Sequence, residues 1–274
     1  MSRRSSISLA SFSPEENVTL HTGNLLSSSI KPLYIKAALR KKFKNEELAH
    51  VLKEFTNSTG NFDCIQLGYQ PKFTLPNELT STSLKLFLSP SANPSIIKHA
   101  IDQFLETISP TLPDSEKINI FLLSFPKVPK QSPCCPEDEG LEIEESENID
   151  VKKFVEATTS EMVKNRISHW GVADVDLEKW KEIEAMAKDL TPSIASQNYY
   201  TSNCRDVKFA EYCDEKDILL LSHTDKSPYI STDQLNSLSE DKFERVDAVL
   251  RYNIMAKTRA VTLAKGYLIF GKAN

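Results

Sequence analysis

The hydrophobic positions along this chain alternate between two rhythms. Short apolar runs stopped by Pro, Gly or polar residues read as strands. Stretches with apolar residues three and four apart read as helices. Residues 18–26 (VTLHTGNLL) predict a first strand and turn, with Gly23-Asn24 as punctuation. Residues 32–55 place Leu33, Ala37, Leu48, Val51 and Leu52 at helical spacing. Residues 60–69 (GNFDCIQLGY) and 83–88 (SLKLFL) return to strand character. Residues 94–108 predict a helix that starts at Asn93-Pro94, with proline at its first position. Residues 118–126 (INIFLLSFP) read as a buried strand that delivers Ser124 just before Pro126.

The second half repeats the rhythm more clearly. A helix is expected over 151–166 and a strand over 167–172 (ISHWGV). Asp176 suits the N-cap of a helix carrying Leu177, Trp180, Ile183 and Ala187. A strand over 193–200, a helix over 205–216 and a strand over 217–222 (DILLLS) follow. That last strand is expected to be buried on both faces. The chain then predicts a helix over 241–251 and strand character from Ile254 onward. Roughly eight strands alternating with helices imply parallel β-α-β units, hence an α/β fold. The closure that length allows is a (β/α)8 TIM-type barrel. A doubly wound open sheet is the alternative, but the first strand and turn lack a G-x-G-x-x-G.

Composition changes this picture in few places. The 274 residues carry 40% hydrophobic and 26% charged side chains, enough for a full core. A net charge of −5 argues against nonspecific binding to nucleic acid or to an anionic membrane. No apolar run is long enough to span a bilayer. Residues 127–150 combine prolines, Cys134-Cys135 and a dense acidic run, and read as a loop inserted in a single domain over 18–274. Residues 1–17, rich in serine with Arg3 and Arg4, read as a disordered tail; a transit peptide is the weaker reading. Without an apolar signal core, the tail does not predict secretion.

The five cysteines (Cys64, Cys134, Cys135, Cys204 and Cys213) are irregularly spaced, which predicts free thiols in a reducing, cytoplasmic setting. No His/Cys spacing predicts a zinc site, so no metal is expected. The carboxylates around Cys134 and Cys135 raise thiol pKa values, so Cys204 beside Arg205 is the better redox candidate. A buried inert thiol is the plainer reading of Cys204.

Several motifs carry a resemblance. Residues 164–176 (KNRISHWGVADVD) look like the GK-x-R-x-I-G-V-S-N strand of aldo-keto reductases. Ser196-Gln197 falls where that superfamily has an Asn-Gln strand end. Residues 217–225 (DILLLSHTD) resemble its seventh barrel strand, and residues 250–258 (LRYNIMAKT) its eighth. Within the superfamily, LHTGNLL, SLKLFL, WGVADVDLEKW, SQNYYTSNC and above all LRYNIMAKTRAVTLAKGYLIFGK are similar to the regulatory (modifier) subunits of glutamate–cysteine ligase. The resemblance covers most of residues 18–272. It implies a non-catalytic subunit that binds the ligase catalytic subunit as a heterodimer, in the cytoplasm with the nucleus also open. Such subunits improve glutamate use and relieve glutathione feedback in the first step of glutathione synthesis.

Against the reductase pattern the chemistry residues look degenerate. A working reductase needs a tyrosine made acidic by a lysine and an aspartate, and a histidine to orient substrate. The histidine position holds Ser124. Asp63 and Tyr69 imitate the Asp…Tyr pair with one residue too many, which reverses side-chain direction on a strand. Lys85 comes early in its strand, and Asp63 and Lys85 are expected to be ordinary rim or solvent-facing charges. Of the dinucleotide site, Gln197 and Lys257 are retained. Ala173-Asp174 replaces Ser-Asn, and His223 stands at the nicotinamide-stacking position. No cofactor is therefore expected, with residual NADPH binding left open. Arg251, Lys257, Arg259 and Lys265 are expected to form a basic docking rim for the partner. The competing reading is a NADPH-dependent aldo-keto reductase with altered catalytic residues.

Overall fold

The computed structural model describes residues 17–21, 65–66, 80–108, 118–126, 149–198, 207–223, 225, 232–233, 243–257 and 261–273. The helix expected over 32–55 lies outside these residues, as do the tail expected over 1–17 except Asn17, which is in a strand, and the acidic loop expected over 127–150 except Ile149 and Asp150.

The strands are β1 (Asn17–His21), β2 (Ile65–Gln66), β3 (Thr80–Leu88), β4 (Ile118–Ser124), β5 (Ile167–Ala173), β6 (Ile194–Asn198), β7 (Leu219–His223), β8 (Phe243–Ala256) and β9 (Val261–Ala273). The helices are α1 (Ser95–Ile108), α2 (Val151–Val163), α3 (Leu177–Ala187) and α4 (Val207–Glu215). All strands join one sheet in the order β2-β1-β9-β8-β3-β4-β5-β6-β7. Five consecutive strands, β3 to β7, pair in parallel.

That sequential order is compatible with a barrel-like arrangement. Right-handed crossovers that always step the same way put every helix on the same face. A doubly wound sheet needs a reversal of strand order, and β3 to β7 have none. The core agrees. Leu84, Leu86, Phe121, Leu123, Trp170, Val172 and Ala195 share one cluster with Phe104 of α1, Phe154 of α2, Trp180 of α3 and Phe209 of α4. The other face carries Lys85, Leu122, Gly171 and Ile194, which are neighbours in register. The fold is thus α/β and barrel-like. Among the described residues the sheet stays open, with β2 and β7 at its edges.

Helix ends follow their residues. Asp176 caps α3 by accepting the backbone N–H of Lys179 at 2.8 Å, as its position predicts. Asp150 caps α2 in the same way through Lys153. Asn165, at φ 64°, ends α2 by letting the N–H of Arg166 return to the carbonyl of Glu161 at 3.0 Å.

Two expectations need correction. The segment expected to form a helix over 241–251 is strand from Phe243, and runs unbroken to Ala256. Val246, Ala248, Leu250, Tyr252 and Ile254 are all buried, and their period of two places them on one face of a strand. β8 pairs antiparallel with both β3 and β9, so the last strands are a long hairpin and not an eighth parallel unit. Strand β7 is also less buried than DILLLS suggests: Leu219 is 52% exposed and Leu220 36%. As a sheet edge among the described residues, it has a strand neighbour on one side only.

Candidate functional site

The C-terminal ends of parallel strands are where such folds place their chemistry. Here β5, β6 and β7 end in Ala173-Asp174, Asn198 and His223, and Asp225 follows two residues later. Lys85 and Arg251 are directly opposed on β3 and β8.

Asp225 joins these elements. Its Oδ2 accepts from Lys85 Nζ at 2.8 Å and from Arg251 Nη2 at 3.2 Å, and its Oδ1 accepts from Arg251 Nη1. In a flat sheet, β3 and β7 would stand about 19 Å apart, four strand spacings. A direct Lys85–Asp225 contact therefore requires the sheet to be rolled, with Lys85 on its concave side. Phe87, on the same face, lies under both cations. Lys85 Nζ is 5.0 Å and Arg251 Cζ 5.5 Å from its ring centre.

The rest of the cluster fixes Asp225 from behind. Its backbone N–H donates to His223 Nδ1 at 3.1 Å, and its carbonyl accepts from Asn198 Nδ2. His223 Nε2 lies 3.2 Å from Asp174 Oδ2 without making a hydrogen bond to it. Asp174 adopts φ 64°, a conformation Asp tolerates better than most residues. Its Oδ1 accepts the backbone N–H of Asn198 at 3.0 Å.

Burial pulls the Lys85 ammonium below its ordinary pKa, against the opposing pull of Asp225. Burial pushes Asp225 up, but Arg251 and then Lys85 outweigh it and hold the carboxyl below its usual range.

Lys85 is thus no solvent-facing charge. It is 3% exposed, because its odd position in β3 points it to the concave face while Leu84 and Leu86 point to the helices. Ser124 ends β4, buried between Phe87 and Ala173 in register. Asp63, Tyr69 and Arg259 lie outside the described residues.

Gln197 and His223 end neighbouring strands, but Gln197 spends its Nε2 on the carbonyl of Val175 at 2.8 Å. Lys257 is exposed in the turn after β8. The end of β8 pairs with the start of β3, so Lys257 stands at the opposite end of the sheet from Gln197 and His223. The antiparallel run of β8 is the reason. The same geometry divides the expected basic rim. Arg251 is committed to Asp225, Lys265 pairs in register with Asn253, and Lys257 lies six residues, about 20 Å, beyond Arg251 along the strand.

Asp225 and Asn198 are the residues that sequence reasoning missed. The available signal was an acid two residues beyond the histidine of a strand end.

Away from this cluster, a cleft of ≈ 440 Å³ opens between the start of α1 and the β8–β9 hairpin. Its charges are paired, Lys98 with Asp102 and Arg245 with Asp247. Cys213 is buried in α4, and burial pushes its thiol up to about 11, which keeps it protonated and unreactive at neutral pH. Cys64, Cys134, Cys135 and Cys204 lie outside the described residues. Among the described residues, no helix is long and apolar enough to cross a membrane. No family model and no curated protein matches this chain.

Proposed function

We propose that this chain is a non-catalytic subunit built on an aldo-keto-reductase-like (β/α)8 scaffold. In this reading it binds the catalytic subunit of glutamate–cysteine ligase as a heterodimer in the cytoplasm. There it tunes glutamate use and glutathione feedback in the first step of glutathione synthesis.

The observation that carries the reading is the interlocked rim. A reductase rim must hold free acid–base groups against a carbonyl and leave room for a phosphorylated dinucleotide. Here Lys85 and Arg251 are bound to Asp225, His223 stands between two carboxylates, and Ser124 takes the histidine position. Asp174 adds negative charge near the place of a phosphorylated cofactor. The one-sided helices and sequential parallel strands support the barrel part of the reading.

Co-expression with the ligase catalytic subunit tests it. The two chains should elute together, and the KM for glutamate should fall. Separate elution with unchanged kinetics overturns the reading. The reductase alternative predicts a saturable change in NADPH fluorescence and turnover of a carbonyl; the present reading expects no turnover.

A further inference from the structure

Lys85 and Arg251 form an unusual pair. Two like charges directly opposed on neighbouring strands repel each other, and here Lys85 is almost wholly buried. The counter-charge comes from Asp225, 140 residues from Lys85 and 26 from Arg251. The arrangement has the form of a recognition site for a planar carboxylate. The Arg251 fork takes both oxygens, the lysine takes one, and the Phe87 ring lies beneath both cations.

Asp225 is held in two independent ways. Its backbone is fixed by His223 Nδ1 and Asn198 Nδ2. Its carboxylate hydrogen bonds go to Lys85 and Arg251. Rotation about its side chain therefore empties the fork while the backbone stays in place. A free carboxylate arriving there keeps the charge balance, and Asp225, already 12% exposed, moves toward solvent.

We propose that Lys85, Arg251 and Phe87 form a binding site for a small free carboxylate, occupied at rest by the chain's own Asp225. Ligand entry and release of the Asp225 side chain are then one equilibrium. The site rests on its own geometry and stands whether or not a ligase subunit binds.

Sodium acetate, with sodium chloride at equal ionic strength as control, tests this on the full chain. Asp225→Ala removes the competing carboxylate, so acetate should raise Tm saturably while chloride does not. The wild type should need about tenfold more acetate or higher, because Asp225 competes and only the open fraction binds. Adding Lys85→Met to Asp225→Ala should abolish the acetate effect. Asp225→Ser, which keeps the backbone contacts and withdraws the side chain from the fork, is scored by the same criterion and serves if the alanine variant does not fold. Equal responses to acetate and chloride in the Asp225 variants, or a response that survives Lys85→Met, would overturn the site. A response in the variants with none in the wild type at any acetate concentration would overturn the exchange with Asp225.

Discussion

The two ends of the parallel sheet each carry an ion-pair network, and the networks are built differently. At the N-terminal end, Glu161 of α2 accepts from Lys164 at 2.8 Å and from Arg166 at 2.7 Å. Arg166 reaches Asp102 of α1 at 2.6 Å, and Asp102 also holds Lys98. Most of these partners are three to five residues apart, and Lys164 is half exposed. At the C-terminal end, Lys85, Asp174, His223, Asp225 and Arg251 come from four strands and meet across the concave face. The first network is local and clamps α1 to α2 and β5. The second exists only if the sheet is rolled. The same chemistry therefore reports helix packing at one end and sheet curvature, with a candidate site, at the other.

The largest expected effect comes from breaking the long-range network. Asp225→Ala removes the carboxylate that Lys85 and Arg251 share, the lysine being buried, and should cost about 3–5 kcal/mol in denaturant unfolding. Gly171→Ala acts on the same face. A Cβ there would stand 1.8 Å from the carbonyl oxygen of Ile194, so β5 and β6 must part. A loss of about 1–3 kcal/mol is expected. Glu161→Gln, at the other end, should cost about 1–2 kcal/mol, because Lys164 and the partly exposed Arg166 can still turn to water. A Glu161 variant more damaging than Asp225→Ala would reverse the ranking of the two ends.

Acid titration sharpens the comparison. Asp225 is held below its unfolded value, so the unfolded chain binds more protons as the pH falls. Its stabilisation is complete above about pH 4 and lost as pH drops through its lowered folded value. Asp102 behaves alike: burial raises it, but the bonds from Lys98 and Arg166 prevail. Wild type should therefore lose stability on acidification from both ends. Asp225→Asn should remove the Asp225 share of that slope, and an unchanged slope would contradict the assignment. The smallest effect is at a cap: Asp176→Ala should cost about 1 kcal/mol and leave both networks intact.

Much of the parallel half was legible because its signals are local. INIFLLS and ISHWGVA are apolar runs of strand length, and the Asp176 cap stands in the residues themselves. The β8 error had a physical source. FERVDAVLRYNIMA supports both a helical and an alternating pattern. Register shifts near Phe243 and Val246 interrupt the alternation where a helix was expected. The direction of β8 then moved Lys257 away from the residues it was expected to join. The site was legible as single residues only. Lys85, Asp174, His223 and Arg251 could each be singled out, but the contact that unites them crosses four strand spacings and depends on curvature. No spacing in the sequence encodes that contact.

A double-mutant cycle on Lys85 and Asp225 tests this account most directly. Lys85→Met, Asp225→Ala and the double variant would be unfolded in urea beside the matching set at Asp102 and Arg166. A coupling of about 2–3 kcal/mol is predicted for Lys85–Asp225, against less than about 1 kcal/mol for the more exposed Asp102–Arg166 pair. A Lys85–Asp225 coupling no larger than that of Asp102–Arg166 would contradict the rolled, self-occupied concave face.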